Sequence, residues 1–254
     1  MVVLTGSQLN LEDVAGVARG GVQVALAGEA LERMRASRAT VERLAAGDEP
    51  VYAVNTGFGY LSNARIPHGD LAQLQQNLLR SHACGVGEPL ADETVRAMML
   101  IRANVLAKGL SGIRPVIAER LCDLLNRGVT PVVPSRGSVG ASGDLAPLAH
   151  MGLVLIGEGE AEVGTGSERR RLPGAEALRA AGLEALHLEA KEGISLVNGT
   201  QAMLSLATLA LLDLEDLCEA ADAACALSLD ALRGTPRAYD PRIHEARPHP
   251  GQQA

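Results

Sequence analysis

From Gly199 to Leu232 the chain runs almost without interruption through helix-forming residues, apolar on most faces of the helix they would make. Such a helix cannot face water on all sides, so it belongs inside a bundle or at a subunit interface. The rest of the composition points the same way. Three Tyr, one Phe and no Trp leave the core to Leu, Ala, Val and Met, which suits close helix packing better than a β-sandwich. The most apolar tract, Met203 to Leu212, carries Ser205 and Thr208 and stops at Asp213, short of the roughly 20 apolar residues of a membrane span. It reads as a buried helix, and no membrane partner is expected.

Charge removes other classes. With 23 Lys and Arg against 30 Asp and Glu the chain carries a net charge of −7, which excludes a strongly basic nucleic-acid binder. At 47% hydrophobic and 21% charged residues it is too apolar for a disordered chain. The length of 254 residues allows one or two domains. Cys84, Cys122, Cys218 and Cys225 form no CxxC pair, and the start MVVLTGSQLNLED lacks a signal peptide's basic and apolar segments, so the expected location is the reducing cytoplasm.

Local signals mark a mainly α chain with small β elements. Val2 to Leu4 is a short strand candidate, Asn10 caps LEDVAGVAR, and a long helical pattern runs from Glu29 to Ala46 and is ended by Gly47. Val51 to Val54 reads as brief and extended, and Asn55-Thr56-Gly57-Phe58-Gly59 as a loop whose glycines permit movement. Helices follow from Asp70 to about Ser81, Asp92 to Lys108 and Pro115 to Asn126. The prolines and glycines of Val129 to Gly143 exclude a long helix, and Asp144 caps an apolar helix to about Ile156. Glu158 to Leu172 suggests a small, exposed, peripheral hairpin.

The densest unusual segment is Gly137-Ser138-Val139-Gly140-Ala141-Ser142-Gly143-Asp144. As a nucleotide loop it has the wrong spacing, GxxGxxG, and Pro131 and Pro134 spoil the strand that such a fold requires before it. As a nucleophile elbow it lacks the GxSxG order. A third reading uses the backbone itself. The Gly143 nitrogen, unhindered by a side chain, can close on the Ala141 carbonyl, and dehydration of Ser142 then makes the ring a 4-methylidene-imidazol-5-one. That electrophile would face the positive end of the helix starting near Asp144. The plain alternative is a glycine-rich turn capped by Asp144.

Five blocks in order, VYAVNTGFGYLSN, NLLRSHACGVGEPL, GSVGASGDLAPLAHMGLVLIGEG, KEGISLVNGTQAM and AYDPRIHEARPHPGQ, resemble the aromatic amino-acid ammonia-lyase family, and most of all its histidine-using members. The resemblance extends from about Leu4 to Gln253. It implies a helical-bundle lyase fold of the fumarase/aspartase-like superfamily, with residues 1–198 as the ring-bearing domain and 199–254 as the start of a central bundle. It implies the self-made ring from Ala141, Ser142 and Gly143 as prosthetic group, without metal or nucleotide. It further implies a cytoplasmic homo-oligomer, a tetramer in the family, with active sites shared between subunits.

The residues can be weighed beside that resemblance. Expelling ammonia from an amino acid needs an electron sink and a base for a weakly acidic β-proton. Ser142 carries the sink. Tyr52 falls where the family places its catalytic tyrosine; read alone, it is a half-buried tyrosine at a strand end. Ser81-His82 matches the histidine-using members, which would set His82 against a substrate imidazole, whereas read alone His82 is a helix-end residue facing the dipole. Asn198 in LVNGTQ matches the asparagine that holds ring and substrate, or is simply a cap before Gly199. Gln201 lies nearby without an assigned role. His244 and His249 lack the ligand spacing of a metal site, and His68, His150 and His187 read as structural or solvated.

The family continues past the GQ block, with a second tyrosine, an arginine for the substrate carboxylate, a glutamine and a glutamate. The resemblance therefore implies a truncated chain or a remainder supplied elsewhere. Three readings stand: elimination of ammonia from L-histidine to trans-urocanate, a related aminomutase that returns the amine to the β-carbon, and an inactive fragment that serves assembly through its apolar helix.

Overall fold

A computed structural model describes residues 1–164 and 166–253. Residues Met1–Leu209 form one compact unit and Ala210–Ala254 a second.

The first unit opens with β1 (Val2–Leu4), α1 (Leu11–Ala18), β2 (Val24–Leu26) and α2 (Gly28–Ala46). The Asn10 side chain accepts the Asp13 N–H at 2.7 Å and so satisfies one orphan donor of α1. β1 and β2 pair in parallel, Val2 opposite Val24 and Leu4 opposite Leu26. Next come α3 (Leu71–His82), β3 (Val86–Pro89), α4 (Asp92–Ala107) and α5 (Pro115–Asn126), with Pro115 in the first turn where its missing N–H costs nothing. α4 is apolar on most of its circumference, and α1, α2 and α5 pack around it. Met98, Met99, Leu100 and Leu106 are fully buried there, the flexible thioethers filling gaps that aromatic rings fill elsewhere.

β4 (Val129–Pro131), β5 (Pro134–Arg136), α6 (Leu145–Leu155), β6 (Glu160–Val163), β7 (Arg170–Pro173), α7 (Gly174–Ala180) and α8 (Glu192–Val197) complete this core. The prolines bound two short strands instead of abolishing them: β4 ends at Pro131 and β5 begins at Pro134, positions where a missing ladder donor is tolerated. The expected peripheral hairpin is also more than that. β6 and β7 do form a hairpin, but β4 pairs with β6, Ala161 is fully buried, and α7 packs on the sheet. The alternation was masked by arginines whose charges pair at the surface, Arg169 and Arg171 with Glu162.

Val51 to Val54 is a turn, not an extended segment. Asn55 Oδ1 accepts the Val51 N–H at 2.7 Å, the Val54 N–H returns to the Val51 carbonyl, and Ala53 takes a left-handed φ of 62°. The Asn55 side chain, closing the turn back onto Val51, overrides the β-preference of two valines.

α9 (Gln201–Ala231) begins in the first unit and ends in the second. From Glu192 to Ala231 the chain is apolar and long enough to cross a membrane by length and composition alone. Only one stripe of its first turns is buried: Gln201, Ala202, Ser205, Thr208 and Leu209. Met203, Leu204 and Leu206 are exposed, which corrects the expectation of a wholly buried helix. Among the described residues, none after Leu209 is buried. The second unit also holds α10 (Pro241–Ala246), capped by Asp240, and α11 (Pro250–Gln253).

Candidate active site

The tripeptide ends the loop between β5 and α6, and its two halves are in opposite environments. Ala141 and Ser142 are exposed, whereas Gly143 and Asp144 are buried. Gly143 has φ +135°, and a side-chain carbon on it would lie 2.5 Å from the Gly199 carbonyl oxygen and 2.8 Å from the Gly199 nitrogen. No other residue fits. The Asp144 N–H donates to that same carbonyl at 2.7 Å.

Asp144 precedes α6 as expected but does not cap it with its side chain. Its carboxylate instead accepts the Ser138 hydroxyl at 2.7 Å and the Met203 N–H at 2.9 Å. Met203 is the third residue of α9, so Asp144 satisfies an orphan donor of a different helix while tying down the start of its own loop. The residues thus fit the proposed ring. Gly143 is pressed where only a glycine can go, and Ser142 is left free of close packing.

A cavity of about 230 Å³ opens beside the loop, lined by Ser81, His82, Cys84, Val139, Ala141, Ser142, Gly143 and Leu145 among others. His82, the last residue of α3, therefore faces the same space as Ser142. Its Nδ1 lies 2.9 Å from the Leu78 carbonyl and 3.1 Å from Ser81 Oγ. A carbonyl can only accept, so Nδ1 carries the proton and Nε2 remains for a ligand. His82 thus finishes a helix and lines the cavity.

The wall behind His82 is pinned by a group that sequence reasoning set aside as structural or solvated. His150, on α6, accepts the Gly85 N–H on Nε2 at 3.0 Å, and its burial pushes the imidazole below its usual range. Asn198 ends α8 with φ −88° and ψ 97°, a cap in extended geometry. Its side chain is exposed, and its neighbour Gly199 is the residue that touches Gly143.

Tyr52 stands outside this cavity, 57% exposed, on the turn held by Asn55. Asn55 and Thr56 beneath it are buried; the Asn55 amide donates to the Glu49 carbonyl at 2.9 Å and Thr56 Oγ1 accepts the Ala53 N–H at 3.1 Å.

Sequence reasoning missed Arg102. It lies 2% exposed in α4, and its guanidinium donates to the carbonyls of Ser195 and Asn198 and to Gln201 Oε1. A lone cation inside Met98-Met99-Leu100-Ile101-Arg102-Ala103-Asn104-Val105 was the available signal, because buried arginines need partners.

The sequence signature of the family described as aromatic amino acid lyase matches residues 9–254. Histidine ammonia-lyase of Gloeobacter violaceus is 57% identical over 253 residues, covering 100% of this chain and 48% of that protein. Histidine ammonia-lyase of Geobacillus thermodenitrificans is 52% identical, covering 97% and 48%. Among solved structures, histidine ammonia-lyase from Trypanosoma cruzi superposes with a TM-score of 0.91 at 38% identity, covering 99% of this chain and 48% of that one. Tyrosine aminomutase from Streptomyces globisporus gives 0.90 at 37%, covering 98% and 46%. The chain spans about half the length of the curated relatives it matches. With its signature matched almost throughout and its fold shared over nearly every residue, the chain belongs to the aromatic amino acid lyase family.

Proposed function

We propose that this chain is the electrophile-bearing portion of a histidine ammonia-lyase, which converts L-histidine to trans-urocanate and ammonia. The observation that carries the reading is the shared cavity of Ser142 and His82 beside a Gly143 that only glycine can occupy. Ala141, Ser142 and Gly143 hold the prosthetic group, a methylidene-imidazolone that supplies an electron sink for breaking the carbon–nitrogen bond.

The remaining residues bind and move protons. His82 presents Nε2 to the substrate imidazole, which selects histidine over substrates with plain rings. Asn198, with donor and acceptor on one amide, orients the substrate beside Gly143. Tyr52 takes the β-proton on its phenolic oxygen as the carbon–nitrogen bond breaks and the amine leaves as ammonia; the glycines of 57 and 59 let its turn approach the cavity. Residues 1–198 form the ring-bearing domain and 199–254 begin the central bundle of a homotetramer. The four free cysteines suit the reducing cytoplasm.

Full-length protein incubated with L-histidine is expected to release urocanate, and its intact mass to be two waters short of the encoded mass. Ser142→Ala is expected to lose both the deficit and the product. A β-amino acid in place of urocanate would assign the protein to the aminomutases, and full mass without any product would make the chain an assembly fragment.

A further inference from the structure

Arg102 is a cation in a core that offers it no carboxylate among the described residues; its partners are carbonyls and one amide. Burial alone draws its guanidinium down to about 10, and its Nε has no partner among the described residues. Taking a guanidinium out of water is costly, and an apolar residue in α4 would avoid that cost. What the charge does there is geometric. Nη1 lies 3.1 Å from the Asn198 carbonyl and 2.9 Å from Gln201 Oε1, while Nη2 reaches the Ser195 carbonyl. One fork thus joins the last carbonyls of α8 to the first side chain of α9 across the turn at Asn198-Gly199-Thr200.

That turn is packed in series with the tripeptide. A side-chain carbon on Gly199 would lie 2.3 Å from Arg102 Nη1 and 2.2 Å from Gln201 Oε1, and one on Gly143 would lie 2.5 Å from the Gly199 oxygen. Arg102 Nη1 and the Gln201 amide thus crowd the Gly199 α-carbon, and the Gly199 peptide in turn crowds that of Gly143. We infer that Arg102 is a positioning residue for ring closure: it holds the Gly199 peptide against Gly143, so that the Gly143 nitrogen is kept toward the Ala141 carbonyl and cannot relax away. The inference rests on the ring-forming reading above.

The step that Arg102 assists balances without an oxidant. The bond formed joins Gly143 N to the Ala141 carbonyl carbon. That carbonyl oxygen leaves as water with the protons of the Gly143 and Ser142 amides, and a second water takes the Ser142 hydroxyl and α-proton.

The test is intact mass of the full-length protein with Arg102→Lys and Arg102→Met, beside Leu121→Ala, a core truncation at a fully buried position in α5 that lowers stability without touching the turn. A reacting pair displaced by about 1 Å loses roughly a hundredfold in rate. Arg102→Met is therefore expected to purify folded yet mostly at full mass, and Arg102→Lys, which keeps charge but not the fork, to be intermediate. Leu121→Ala is expected to show the complete two-water deficit at a comparable loss of thermal stability. Complete deficit in both Arg102 variants would overturn the inference, as would an equal loss of deficit in Leu121→Ala. If the unsubstituted protein itself shows full mass, the ring-forming reading fails first, and Arg102 has nothing to position.

Discussion

Two segments carry the groups proposed to react, and they are held in different ways. The 137–143 loop is fixed at its end by contact: Gly143 meets Gly199 backbone to backbone, with no space for a methyl group. The turn under Tyr52 is fixed by polar side chains, chiefly Asn55 and Thr56, and leaves the tyrosine in solvent. Contact packing tolerates no change and needs no motion, which suits the proposed ring closure. A hydrogen-bonded turn fixes its own base and leaves the tip free to approach a substrate. On the proposed function, the difference separates building the electrophile from using the base.

The largest expected effect breaks the first segment alone. Gly143→Ala places a carbon 2.5 Å from the Gly199 oxygen in a conformation that disfavours side chains. Overpacking of this kind costs about 1–3 kcal/mol. The expected outcome is a folded protein of full mass, with no urocanate and a lowered thermal midpoint. Retention of the two-water deficit would show that the contact with Gly199 does not constrain the tripeptide.

The second segment answers to a different change. Tyr52→Phe removes the phenolic oxygen from an exposed side chain, so stability and the mass deficit are expected to stay as they were. Turnover is expected to fall by about 10²- to 10⁴-fold, the usual contribution of a general base. Steady-state kinetics and intact mass on one preparation separate the two segments. A Tyr52→Phe protein lacking the deficit would mean that the turn helps build the ring, and unchanged turnover would remove Tyr52 from the role of base.

What was legible in the sequence follows the same division. Helices with local signals, such as α1 with Asn10 and α5 with Pro115, could be read from neighbouring residues because capping is a short-range interaction. The resemblance located Ser142 and His82, and the fold brings both to one cavity. Long-range partnerships were not legible. Asp144 reads locally as the cap of α6, yet its carboxylate serves Met203, 59 residues away. The pairing of β4 with β6 depends on a strand that arrives after a whole helix. Arg102 was hidden because two of its three partners, the Ser195 and Asn198 carbonyls, are backbone atoms that no sequence pattern announces.

The smallest effect concerns the chain just beyond His82, which one titratable side chain holds at Gly85. His150 must keep Nε2 bare to accept the Gly85 N–H, and burial disfavours its charged form. In the unfolded chain a histidine titrates near its ordinary value of about 6.5. Below that value the unfolded state therefore binds more protons than the folded one. His150's contribution is complete above the ordinary value and is lost as pH falls below it. His150→Gln keeps an acceptor and does not titrate. The gap in urea midpoint between wild type and variant should therefore change between about pH 7.5 and 5.5, with wild type losing more. A gap independent of pH would show that the Gly85 contact survives protonation. The wall at His82 would then be held by packing, as Gly143 is, and not by a polar side chain in the manner of Asn55.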